Sequence, residues 1–101
     1  MKEIKAFIKP FKVNDILNQL LKAGYPNLTV SMAEGTGNFK DDEATISTHF
    51  SITNSKVAKI EIVCNDSDVA KIIEIISMKG RTGNPGDGII YVSEVEKAVR
   101  V

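Results

Sequence analysis

Residues 4–24 read IKAFIKPFKVNDILNQLLKAG, and residues 59–80 read KIEIVCNDSDVAKIIEIISMKG. Each stretch passes from a strand pattern to a helix pattern and stops at a glycine. In the first, Ile4, Ala6 and Ile8 alternate with Lys5, Phe7 and Lys9, the period of two expected of a strand with one buried side. Pro10 ends that run, because it has no N–H to give to a ladder. Val13, Ile16, Leu17, Leu20 and Leu21 then recur at i, i+3, i+4, i+7 and i+8. That spacing predicts one apolar stripe on a helix of about three turns, and Gly24 stands where a helix takes its C-cap. In the second stretch Ile60, Ile62 and Cys64 share a face, so Cys64 reads as a small buried apolar residue. Asn65–Asp68 offers N-cap side chains, Val69, Ile72, Ile73 and Ile76 repeat the stripe, and Gly80 ends it.

Outward from these halves, NLTVSMAE (Asn27–Glu34) alternates through Leu28, Val30 and Met32, and GIIYV (Gly88–Val92) reads as a fourth strand. Glu94–Val101 has no decisive period. Gly35–Asn54 has none either, and a connection of about 20 residues is long enough to be functional or disordered rather than a plain link. The order is therefore β-α-β, long loop, β-α-β. It predicts an α+β, ferredoxin-like βαββαβ fold, an antiparallel sheet with two helices on one face, in a single domain spanning 1–101. The other face carries Lys5, Phe7, Thr29, Ser31, Ala33, Glu61 and Val63. It is too apolar for open solvent and too polar for a core, which points to contact with another copy of the chain.

Composition narrows the function classes. The 101 residues hold 13 Lys plus Arg and 13 Asp plus Glu, a net charge of zero, so no general basic surface for nucleic acid is expected. Aromatic residues are 6% with no Trp, a poor basis for stacking on single strands. No apolar run approaches the roughly 18 residues of a membrane span, and charges interrupt the start, unlike a secretory leader. One cysteine excludes an internal disulfide and suits a reduced, cytoplasmic setting.

Two glycine-rich stretches invite a ligand. RTGNPGDG (Arg81–Gly88) can be a helix-to-strand connection, with Asn84-Pro85 turning and Asp87-Gly88 launching the strand. It can equally be a loop whose successive N–H groups cradle an anion. It lacks the Lys-Ser/Thr pair of a P-loop. GTGNFK (Gly35–Lys40) lacks the third glycine and helix of a dinucleotide fingerprint. It is either a flexible exit from the sheet or a second phosphate-facing loop with Lys40 nearby. His49, the single histidine, has no evident catalytic partner. Asp41, Asp42 and Glu43 lack the spacing of a calcium loop and read as a solvated acidic patch.

MKEIKAFIKPFKVNDI, LTVSMAEGTGNFK, KIEIV and RTGNPGDGIIYVSEVEKAVRV together resemble the PII signal-transduction family, over nearly the whole chain except the middle of the long loop. RTG…GDG followed by an apolar strand is the most specific part. The resemblance implies ferredoxin-like domains in compact homotrimers, with sheets turned to the centre and ATP or ADP bound in clefts between subunits. It also implies that the long loop, the T-loop at about 36–54, changes shape with ligand and docks onto a target enzyme or transporter. Carried to this chain, Gly35, Gly37 and Asn38 match the loop entrance beside the nucleotide, and Gly86, Asp87 and Gly88 match the loop around the phosphates. Thr29 and Glu61 match positions near the base, and Arg100 matches a C-terminal arginine that reaches phosphate. Lys40, Asp41, Asp42, Glu43, Thr48 and His49 fall in the partner-binding loop.

Departures from the family pattern refine this expectation. Phe39 stands where the family has a glutamine that helps hold magnesium and 2-oxoglutarate. Ile89 replaces the lysine after GDG, and Val101 follows Arg100 where a second arginine is due. Tyr25 and Tyr91 both lie outside the loop, so the family's modifiable loop tyrosine has no counterpart. A charge-assisted contact is worth roughly 1.5–3 kcal/mol, so the loss of two phosphate contacts favours ADP or AMP over ATP. The reading is a regulatory protein rather than an enzyme, with no resident cofactor. Its rival is a metal-linked accessory regulator of an efflux or other transporter, independent of nucleotide, in which His49 and the acidic loop would matter.

Overall fold

Alternation along β1 (Lys2–Ile8) buries Ile4, Ala6 and Ile8 in the computed structural model, which describes residues 1–36, 45–46, 53–84 and 86–101. The strand lies inside the sheet. It pairs antiparallel with β4 (Thr53–Cys64) on one side and β5 (Gly88–Glu94) on the other, so Ile4 stands between Ile62 and Val92, and Ala6 between Ile60 and Ile90. β2 (Leu28–Gly35) pairs antiparallel with the far side of β4. The sheet order is β2-β4-β1-β5. Helix α1 (Val13–Lys22) joins β1 to β2, and α2 (Val69–Gly80) joins β4 to β5. Each helix thus links strands separated by one antiparallel neighbour, which is the ferredoxin-like split βαβ arrangement read from the sequence.

The core forms between the helices and one sheet face. Ile16 and Leu20 of α1, and Ile72, Ile75 and Ile76 of α2, close over Ile4, Ala6, Ile8, Ala58, Ile60 and Ile62. Fully burying one such aliphatic side chain is worth about 1.5–3 kcal/mol. Leu21 departs from expectation and stays 54% exposed. It lies roughly 90° around the helix from the centre of the stripe, where one turn takes 3.6 residues. Val30 and Met32 also remain exposed although they share the helix-side face with Leu28. β2 is an edge strand, and the helix layer reaches its first residue but not the middle.

Several local expectations resolve differently. Gly24 leaves α1 with φ +92°, as a left-handed cap should. Gly80 does not cap α2; it is the last helical residue and is buried. A Cβ there would sit 3.4 Å from Ile16 Cδ1 and 3.8 Å from Ile8 Cγ2, ordinary packing distances, so Gly80 is part of the packed contact of α2 with α1 and β1 rather than a turn residue. Neither Asn65 nor Asp68, which stand at the helix starts, caps with its side chain. Asp66 instead accepts from the N-terminal ammonium at 2.8 Å, and Asp68 accepts from the Tyr25 hydroxyl at 3.4 Å. Cys64 is half-buried at the rim of the core rather than within it, and burial pushes its thiol pKa up. Residues 95–101 form no regular element; the Val95 N–H donates to the Met1 carbonyl at 3.1 Å.

The expected loop at 36–54 is described only in part. Within it, β3 (Thr45–Ile46) pairs antiparallel with Asn54 and Thr53, and β4 starts at Thr53, ahead of the apolar alternation that signalled it. The opening residues of β4, TNSK, carry no hydrophobic period, so backbone pairing extends the strand where the sequence pattern is silent.

Candidate functional site

Arg81–Gly88 answers whether the glycine-rich stretch is built for an anion: an anion is already inside it. The Asp87 carboxylate turns back into its own loop. It accepts from the Thr82 amide at 2.7 Å, from the Gly83 amide at 2.9 Å and from the Thr82 hydroxyl. Asn84 N–H donates to the Thr82 hydroxyl oxygen at 3.2 Å and tightens the turn. Lys9, whose side chain is only 12% exposed, brings its ammonium to 3.4 Å from Oδ1, the oxygen that also accepts from the Thr82 hydroxyl, while the two amides share Oδ2. The Thr82 hydroxyl first, then the Thr82 and Gly83 amides and Lys9, hold the Asp87 carboxyl well below the ordinary carboxylate range.

Glycine is required at the exit of this loop. Gly83 and Gly86 have φ of +87° and +81°, and Gly88 has φ +146°. A Cβ on Gly88 would stand 2.2 Å from the Phe7 carbonyl oxygen, so β5 docks beside β1 only without a side chain there. A cleft of 340 Å³ opens next to it, on the helix side of β5. Ser77, Gly80 and Arg81 form one wall, and Asp87, Gly88 and Ile89 the other. Its size is at the low end of small-ligand sites. Among the described residues, Arg81 is the one cation that lines it.

Thr29 and Glu61 lie elsewhere. They face each other across β2 and β4 on the bare side of the sheet, in a row continued by Lys5 and Tyr91. The next row on that face is Ser31, Lys59, Phe7 and Ile89. Lys59 pairs with Glu61 at 3.3 Å, and Phe7 meets Tyr91 edge to face at 6.3 Å between centroids. Ile89 and Tyr91 are 51% and 55% exposed. Thus every residue assigned to the bare face by alternation takes its place there, and the face is broader than read, since β5 adds Ile89 and Tyr91.

The structure therefore gathers Gly86, Asp87 and Gly88 at the β5 edge and sets Thr29 and Glu61 across the sheet from them, on β2 and β4. Gly35 closes β2 opposite Ser55. Arg100 is exposed in the C-terminal segment and lines neither wall of the cleft. Gly37, Asn38, Lys40, Asp41, Asp42, Glu43, Thr48 and His49 lie outside the described residues. Among the described residues no group of His, Cys, Asp and Glu could hold a metal ion, and no helix is long and apolar enough to cross a membrane. Sequence reasoning missed Lys9, Thr82 and Arg81. Thr82 was readable from the sequence, since a hydroxyl residue shortly before an Asp in a glycine loop suits an internal turn. Lys9 gave no local sign, because its partner lies far along the chain.

The full length of the chain, residues 1–101, matches the family model for nitrogen regulatory protein P-II. Proteins named nitrogen regulatory protein P-II in Pyropia yezoensis and Porphyra purpurea are 38% and 39% identical to it over 102 aligned positions. One from Mesorhizobium japonicum is 38% identical. Each alignment covers 100% of this chain and 91% of the relative. With the ferredoxin-like fold, the glycine loop before β5 and this end-to-end similarity in agreement, the chain belongs to the nitrogen regulatory protein P-II family.

Proposed function

We propose that this chain is a cytoplasmic signal-transduction protein that works without catalysis. It assembles as a homotrimer through its bare sheet face and senses an adenine nucleotide, ADP or AMP ahead of ATP, in clefts between subunits. The single observation that carries this reading is the separation of the candidate ligand residues. Thr29 and Glu61 sit on β2 and β4, whereas Gly86–Gly88 sits at the opposite edge beside β5. One chain presents two partial sites with a half-exposed aromatic and aliphatic face between them. Packing copies through that face brings the β5 edge of one against β2 and β4 of the next, and the two partial sites become one. Arg100 then reaches the phosphates from the C-terminal segment, and residues 36–54 report occupancy to a partner enzyme or transporter. The mechanism is a population shift: ligand contacts favour one shape of that loop, and the partner fits that shape.

Calorimetric titration with ATP, ADP and AMP, with and without magnesium and 2-oxoglutarate, tests this. The expected result is micromolar, saturable binding of ADP or AMP, weaker for ATP and weakened by Arg100→Ala. No heat with any of the three nucleotides overturns it.

A further inference from the structure

Asp87 sits at the centre of the candidate phosphate loop, yet its carboxylate points into the loop and not out of it. Both its oxygens are engaged: Oδ2 by two backbone amides, Oδ1 by the Thr82 hydroxyl and the Lys9 ammonium. We propose that Asp87 is a positioning residue, a built-in anion that holds Thr82, Gly83 and Gly86–Gly88 in the shape that receives ligand, and that it makes no contact with the ligand itself. This rests on the reading that Gly86–Gly88 faces a phosphate.

The chemistry supports the assignment in four ways. A loop whose N–H groups converge on one point offers its dipoles to any anion that reaches it. Filling that point with a tethered carboxylate fixes Gly83 and Gly86 in left-handed conformations that glycine otherwise leaves and re-enters freely. The carboxylate is also matched by a lysine that is mostly buried, so the loop is tied to the end of β1 as well as to itself. Finally, the amides of Thr82 and Gly83 are committed. A phosphate arriving at this loop adds to the internal anion and does not replace it, so its donors come from Gly86–Gly88 and from cations such as Arg100.

Amide resonances of the full-length protein, followed by NMR with and without ADP, test this without relying on the affinity alone. In the free wild type, Thr82 and Gly83 amides are expected to be protected from exchange. Asp87→Ala should raise their exchange by ~10-fold or more, as local opening replaces a closed loop, and added formate should restore their wild-type shifts by filling the vacated point. Asp87→Asn, which keeps the shape, should restore less than formate does in the alanine variant. ADP added to the wild type should move Gly86 and Gly88 resonances and leave Thr82 and Gly83 in place. Unchanged exchange in Asp87→Ala, no rescue by formate, or ADP shifts centred on Thr82 and Gly83 would each overturn the proposal. Absence of any ADP effect on the wild type would remove the nucleotide reading and leave the exchange and formate results to judge Asp87 by themselves.

Discussion

Gly88 and Gly24 both have positive φ, yet they should answer an alanine substitution differently. At Gly24 nothing lies within 4 Å of where a Cβ would stand, so only the backbone conformation resists. That penalty is roughly 1–2 kcal/mol for a left-handed L-residue. At Gly88 the added carbon meets the Phe7 carbonyl oxygen, a backbone atom of the neighbouring strand. Relief requires separating β5 from β1, and Gly88→Ala is expected to lose on the order of 3 kcal/mol or more, at the severe end of single substitutions. Urea denaturation of the two variants measures the difference; equal losses would show that the approach of β5 to β1 is not close. The need for glycine at 88 was legible as an Asp-Gly strand launch. The carbonyl behind it was not, because it belongs to a residue at the other end of the chain. Gly80 carries the same ambiguity. Its local pattern is that of a cap, and only its packing against Ile8 and Ile16 shows it as a buried helical residue.

Elements were legible wherever one period governed one buried face. β1 buries its alternating residues, and the helices bury the centre of each apolar stripe, because a partner surface lies against them there. Coverage, by contrast, is a property of the layer above. Nothing within β2 says that Val30 and Met32 lie beyond the helices' reach, and nothing within α1 says that the stripe stops short of Leu21. This makes a paired expectation at the element scale. Ile60→Ala removes a fully buried side chain from β4 under both helices and should cost about 2–5 kcal/mol. Leu21→Ala, on an exposed flank of α1, should fall within about 0.5 kcal/mol of wild type. Thermal or urea unfolding decides it. A large loss at Leu21 would mean that this flank is covered in the assembled protein.

For the whole molecule the bare sheet face matters most. Alternation alone marks it as mixed, and the register puts Phe7, Tyr91 and Ile89 together on it. Its mixed character pointed to another copy of the chain; a trimeric arrangement was suggested only by the family resemblance, since a single chain carries no image of how its neighbours are arranged. If copies pack through this face, Ile89→Lys and Tyr91→Lys should shift the protein to lower mass in light scattering while the α/β circular dichroism is kept. Unchanged mass would move the contact elsewhere. Native mass spectrometry in the presence of ADP reads assembly and ligand together and is the most direct measurement to make. If Thr29 and Glu61 of one copy complete the site begun by Gly86–Gly88 of another, as proposed, nucleotide is carried by trimers and absent from monomers. Nucleotide on the monomer, or trimers that stay empty at saturating ADP, would contradict a site shared between subunits.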